Sequence, residues 1–159
     1  ARKGLRFLIE AWPALDVNAH LVVAGADRAI GSYQRLARRL DVAGRVHFLG
    51  PQGRIDQIFV ATDGLALPSL FEPFGNVIME AMASGLPVLC STACGAAETL
   101  PQDFREFVVS DPADIGELTR RMKALLSVRG DLAGVARATA EQFTWERYGR
   151  EVLVLLERL

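Results

Sequence analysis

Five short apolar runs constrain this chain more than anything else in it. They are His20-Leu21-Val22-Val23-Ala24-Gly25, Val46-His47-Phe48-Leu49-Gly50, Gly64-Leu65-Ala66-Leu67-Pro68, Val88-Leu89-Cys90 and Phe107-Val108-Val109. Short runs of this kind, bounded by glycine or proline as at Gly25, Gly50 and Pro68, fit strands buried on both faces. Between and around them the apolar residues return at helical spacing. Leu5, Leu8, Ile9 and Trp12 form one such set, Leu36, Ala37 and Leu40 a second, and Ile55, Ile58 and Phe59 a third. Leu118, Met122, Leu125 and Leu126 follow, in a helix expected to start at Asp111-Pro112, then a helix over 132–142. Tyr148, Val152 and Leu155 mark a last one over 145–159. Arg35, Arg38 and Arg39 fall on the solvated face of the segment 32–40. Strands alternating with helices predict a Rossmann-like α/β fold, a parallel sheet covered on both faces. Ligands bind such sheets beyond the carboxyl ends of the strands, so the loops after Gly25, Gly50, Pro68 and Cys90 should share one rim.

At 159 residues, half of them hydrophobic, the chain has enough material for one domain with a sizeable core. A net charge of −1 gives no general pull toward nucleic acid. No apolar run reaches the ~18 residues of a membrane-spanning helix, and no signal peptide is present. Cys90 and Cys94, without disulfide partners, point to a reducing, cytoplasmic setting. These cysteines and two distant histidines have no metal-ligand spacing, so no metal site is expected. The dinucleotide fingerprint, the P-loop and the hydrolase nucleophile elbow are all missing.

Residues 68–88, PSLFEPFGNVIMEAMASGLPV, hold the chemistry. Gly75 lets backbone approach a ligand closely, because it has no Cβ. A helix beginning at Asn76 offers free N–H groups and partial positive charge, which suits a phosphate. Glu80 lies four residues after Asn76 on the same face, about 6 Å along the axis. A carboxylate there accepts hydrogen bonds from vicinal hydroxyls such as those of a ribose. Glu72 reaches the same crevice from the preceding loop. The plainer reading, helix-dipole pairing for Glu80 and solvation for Glu72, has equal weight on spacing alone.

The order Lys3-Gly4-Leu5, Leu21-Val22-Val23-Ala24-Gly25, Val46-His47-Phe48-Leu49-Gly50, Pro68-Ser69 and FEPFGNVIMEAMASGLPV resembles the C-terminal half of retaining GT-B glycosyltransferases. Within them it is similar to glycosyltransferase family four, whose Glu-x7-Glu motif Glu72 and Glu80 match. Ala93-Cys94-Gly95 and the Arg-Lys-Gly start further resemble the lipopolysaccharide core glucosyltransferases. The resemblance implies a donor-binding domain over residues 1–159. It assigns Arg2 and Lys3 to the donor diphosphate, and Phe74, Gly75, Asn76 and Val77 to the helix start that meets phosphate or sugar. Glu80 falls to the ribose, Glu72 to the donor sugar, and the loop just after Leu49-Gly50 to the border of the nucleobase, with Gly25 and Gly50 among the donor-binding residues. His47 is expected in the core or on a strand face. The implied reaction moves a hexose from a nucleotide diphosphate sugar, UDP-glucose foremost, to an acceptor hydroxyl with retention, in glycan or lipopolysaccharide synthesis. No metal or other cofactor is implied. A sugar-nucleotide epimerase of the same fold and a non-catalytic nucleotide-sugar-binding module are the alternatives.

Two parts of the family pattern are missing from residues 1–159. One is the N-terminal domain, which in the family binds the acceptor glycan or glycolipid; peripheral association with the inner face of the membrane is an expectation for the full enzyme. The other is the first, central strand of the sheet, which precedes the Arg-Lys-Gly turn. By analogy with a 3-2-1-4-5-6 order, that strand belongs between the runs at 21–24 and 65–67. The chain is therefore expected to be part of a larger unit, with those two runs not hydrogen-bonded to each other, weak donor binding and no transfer on its own. The last helix, which in the family reaches toward the facing domain, is expected to expose part of its apolar side.

Overall fold

A computed structural model describes residues 2–128 and 130–158. Its strands are β1 (Leu21–Ala24), β2 (Val46–Gly50), β3 (Leu65–Leu67), β4 (Val88–Ser91) and β5 (Val108–Val109). Its helices are α1 (Leu5–Ala11), α2 (Ile30–Arg39), α3 (Ile55–Val60), α4 (Asn76–Ala83), α5 (Ile115–Ser127), α6 (Ala133–Ala140) and α7 (Trp145–Leu156). All strand pairs are parallel. Helices α1, α2 and α5 pack together, and α4 packs against α3 and α6, so helices cover both sides. No described helix is long and apolar enough to cross a membrane.

The strands form two sheets rather than one. β1 pairs only with β2, whereas β3, β4 and β5 form a three-stranded sheet in that order. No pairing joins β1 to β3 among the described residues, as expected from the sequence. The backbone entering α1 lies in line with that gap: Leu70 N–H donates to the Arg2 carbonyl at 2.8 Å, just beyond the end of β3. Burial follows the pairing. β4, flanked on both edges, is buried at all four positions. β1 is not the fully buried strand its composition predicts: three residues are half-buried and Ala24 is exposed, because one edge has no neighbour.

The core runs from α1 (Leu8, Ile9) through α4 (Ile78, Met82) and β4 to α5 (Leu118, Leu125), with Phe104 and Phe107 fully buried between. Those two phenylalanines lie on a 3-10 stretch, Gln102–Phe107, so Phe107 ends that turn and does not open the fifth strand as expected. Helix α2 turns Tyr33 and Ala37 inward, with Leu36 only half-buried. Helix α5 starts at Ile115, not at Asp111-Pro112 as the sequence reading has it. Asp114 takes the N-cap and accepts from Glu117 N–H at 2.9 Å, while Asp111 closes a turn onto Ala113 N–H. Helix α7 has an N-cap in Thr144 but not one buried residue; Trp145 is 79% and Leu155 61% exposed.

Candidate functional site

The rim is assembled in two halves, one on each sheet. On the three-stranded sheet, the turn into α1 comes first. Gly4 has φ 74°, and an added Cβ would lie 1.9 Å from the Pro68 carbonyl oxygen. Only glycine can bring the start of α1 this close to the end of β3. This seats Arg2 and Lys3 over the loop that carries Glu72. Arg2 Nη2 and Lys3 Nζ stand 4.0 and 3.9 Å from the same carboxylate oxygen, Glu72 Oε2.

Glu72 is held from behind. Its N–H donates to the Ala93 carbonyl and its own carbonyl accepts from Gly95 N–H, both at 3.0 Å, as a parallel bridge opposite Cys94. Its side chain is 13% exposed, and Oε2 is buried with no hydrogen bond. At about 4 Å the two cations balance its charge without satisfying its lone pairs. A buried carboxylate oxygen left without a hydrogen bond beside two cations singles Glu72 out as a candidate site residue.

Gly75 precedes α4 at φ 95°, and a Cβ there would meet Cys94 Sγ at 2.9 Å. The left-handed turn it permits aims the start of α4, with the amides of Asn76 and Val77, toward the rim. Phe74 is half-buried; its carbonyl accepts from Ala96 N–H at 2.9 Å and from the Cys94 thiol at 3.0 Å. Asn76 and Glu80 are both exposed on one face of α4, as their spacing predicts. The cysteines are free of disulfide, but they do have partners. The neighbouring thiols shift each other in opposite directions: Cys94 is lowered by Cys90 and Cys90 is raised by Cys94, while burial raises both.

On the two-stranded sheet, Gly25 N–H donates to the Gly50 carbonyl at 2.8 Å, next to a register shift at Val23/Ala24 that bends β1. The two glycines border a hollow of about 610 Å³ that also draws on Arg28, Gln34, Phe48 and Pro51. His47 is on a strand face, exposed, and not in the core. Its Nε2 meets His20 Nδ1 at 2.9 Å, with the rings stacked at 5.1 Å.

The structure thus brings Arg2, Lys3, Glu72, Phe74 and Gly75 together. Asn76, Val77 and Glu80 extend from them along α4, and Gly25 and Gly50 sit on the other sheet. The sequence reading gave no structural role to the 93–95 segment that clamps Glu72. The only signal was Ala93-Cys94-Gly95, noted for resemblance and not for geometry.

Parallel sheets with helices on both sides, and two cations with a helix start converging on one rim, define the C-terminal type of domain of a GT-B glycosyltransferase. Residues 1–128 match the family model described as Glycosyl transferases group 1, and the chain belongs to that family. Lipopolysaccharide glucosyltransferase WaaG of Escherichia coli is 31% identical over 79% of this chain and 34% of that protein. A glycogen synthase of Deinococcus deserti is 35% identical over 99% of this chain and 36% of its own length. Among solved structures, Anabaena HepE in complex with UDP aligns at TM-score 0.86 and 29% identity, covering 99% of this chain and 46% of that one. A WaaG structure aligns at TM-score 0.78 and 29% identity, over 89% of this chain and 40% of the other. The chain therefore spans less than half the length of these relatives.

Proposed function

We propose that residues 1–159 are the donor domain of a retaining hexosyltransferase that takes a nucleoside diphosphate sugar, UDP-glucose foremost. The observation that carries this is the buried Glu72 oxygen, without a hydrogen bond, facing Arg2 and Lys3 beside the start of α4. HepE has been solved with UDP-glucose at TM-score 0.84 over 99% of this chain, which supports the choice of donor.

In this reading Arg2, Lys3 and the amides of Asn76 and Val77 hold the diphosphate. They stabilise the negative charge that grows on it as the bond to the sugar breaks, and preorganised cations and N–H groups do this without reorganising. Glu72 accepts from a donor-sugar hydroxyl. Glu80 accepts from the ribose hydroxyls, and the nucleobase rests in the hollow at Gly25 and Gly50. The chemistry asks for no metal or other cofactor. The acceptor, a glycan or glycolipid, enters from a second domain across the rim, and the whole enzyme works at the cytoplasmic face of a membrane.

Calorimetry of the intact protein with UDP-glucose tests the reading. Lys3→Ala should lower turnover far more than donor affinity, through lost leaving-group stabilisation. A Lys3→Ala enzyme with normal turnover removes the diphosphate from this position.

A further inference from the structure

Helices α1 and α2 lie side by side and leave a groove of about 510 Å³ between them. Arg6, Arg35 and Arg39 line it, with Ser32, Tyr33 and Leu36. Arg6 Nε bonds Glu10 Oε1 at 2.9 Å. Arg35 and Arg39 have no acidic partner among the described residues and are both exposed.

Helix electrostatics explains only part of this placement. Arg39, with Arg38, sits in the last turn of α2, where the dipole favours a cation. Arg35 is in mid-helix, and Arg6 is in the first turn of α1, where the dipole disfavours it. Glu10 offsets Arg6, but Arg35 and Arg39 bring two uncompensated guanidiniums to the same groove, in a chain with 18 basic and 19 acidic residues to distribute. An anion compensates that charge. Guanidinium forks match phosphate oxygens in pairs, and the Tyr33 and Leu36 walls lower the local polarity. Nothing in the groove belongs to the hollow at Gly25 and Gly50.

We propose that the α1–α2 groove is a phosphoryl-binding site, separate from the donor site, for the phosphate of a soluble ester or of an anionic lipid headgroup. Two arms on the intact protein, each run with and without UDP, separate the sources. One is calorimetric titration with glucose 6-phosphate. The other is flotation on phosphatidylcholine vesicles with and without about one-third phosphatidylglycerol. Binding is expected in one arm, falling steeply with salt. In the doubly substituted Arg35→Gln/Arg39→Gln protein it should weaken roughly 25-fold, about five-fold per arginine. Both residues are exposed, so the variant should fold, and Lys3→Ala should leave this binding unchanged. Absence of binding in both arms, equal flotation on neutral vesicles, or undiminished binding by the double variant would overturn the proposal. The groove stands apart from the donor reading, so a protein that fails to bind UDP still gives a decisive answer here.

Discussion

Gly4→Ala is the sharpest test of how the rim is built. Alanine at φ 74° costs about 1–2 kcal/mol in backbone strain. Its Cβ would also lie 1.9 Å from the Pro68 oxygen, short of ordinary contact by more than an ångström, and that oxygen is backbone and cannot rotate away. Relief requires α1 to lift from the end of β3. The lift breaks the 2.8 Å bond from Leu70 N–H to the Arg2 carbonyl, worth roughly 0.5–1.5 kcal/mol net. Together these give about 1.5–3.5 kcal/mol, or a fall in melting temperature of roughly 3–14 °C for a domain of this size. The same lift moves Arg2 and Lys3 away from Glu72, and a misplacement of about 1 Å can lower turnover roughly 100-fold. Urea unfolding of the 159-residue chain and steady-state kinetics of the intact protein measure the two effects. Gly134→Ala is the control: it lies in α6 at ordinary φ with nothing within 4 Å of a new Cβ, so it should be neutral or stabilise by about 0.4–1 kcal/mol. If Gly4→Ala unfolds and turns over like the parent, the close seat of α1 on β3 is wrong.

Glu80→Gln should weaken UDP-glucose binding by calorimetry and leave the melting temperature within a degree or so, because Glu80 is exposed and its side chain bonds nothing in the described structure. Glu117 gives a pH dependence. Burial acts to raise its pKa, but the N–H donors of Asp111 and Ser110 and the Arg121 guanidinium outweigh it and the net shift is downward. Its contribution to stability is then fully present above the ordinary carboxylate value and is lost as pH falls through the lower, folded value. Glu117→Gln should cost about 1–3 kcal/mol at neutral pH and flatten the acid limb of the stability curve, read by denaturation at a series of pH values. Leu155→Ser, at 61% exposure on α7, should change the unfolding midpoint of the 159-residue chain by less than about 0.5 kcal/mol.

Much of this molecule is legible because its signals are local. The runs at 46–50, 64–68 and 88–90 became strands β2, β3 and β4, and the glycine at 75 with the glutamates at 72 and 80 marked the helix that faces the rim. What escaped depends on contacts far apart in sequence. Cys94 and Gly95 act by clamping Glu72, about twenty residues away, and no spacing rule contains that pairing. The start of α5 was misplaced for a different reason. Asp111 and Asp114 are both good caps, and only the bond to Glu117 N–H decides between them.

The burial of β1 was misjudged for a reason that leads to one more test. A run such as Leu-Val-Val-Ala states that a strand belongs in the middle of a sheet, not that its neighbour is present. In a parallel strand alternate N–H groups point to opposite edges, so β2 satisfies only those on its own side. β4 lies between β3 and β5 and is buried throughout. Native-state hydrogen exchange on the 159-residue chain should therefore find β4 amides protected to the level of global unfolding. The β1 amides directed away from β2 should exchange as fast as those of exposed loops. A longer protein that places a strand between β1 and β3 should protect these amides while leaving β4 unchanged. It would also join the Gly25–Gly50 hollow and the Glu72 pocket across one continuous sheet. Equal protection of β1 and β4 in the 159-residue chain would mean that the β1 edge is already covered, and the divided sheet, with the divided site it implies, would have to be abandoned.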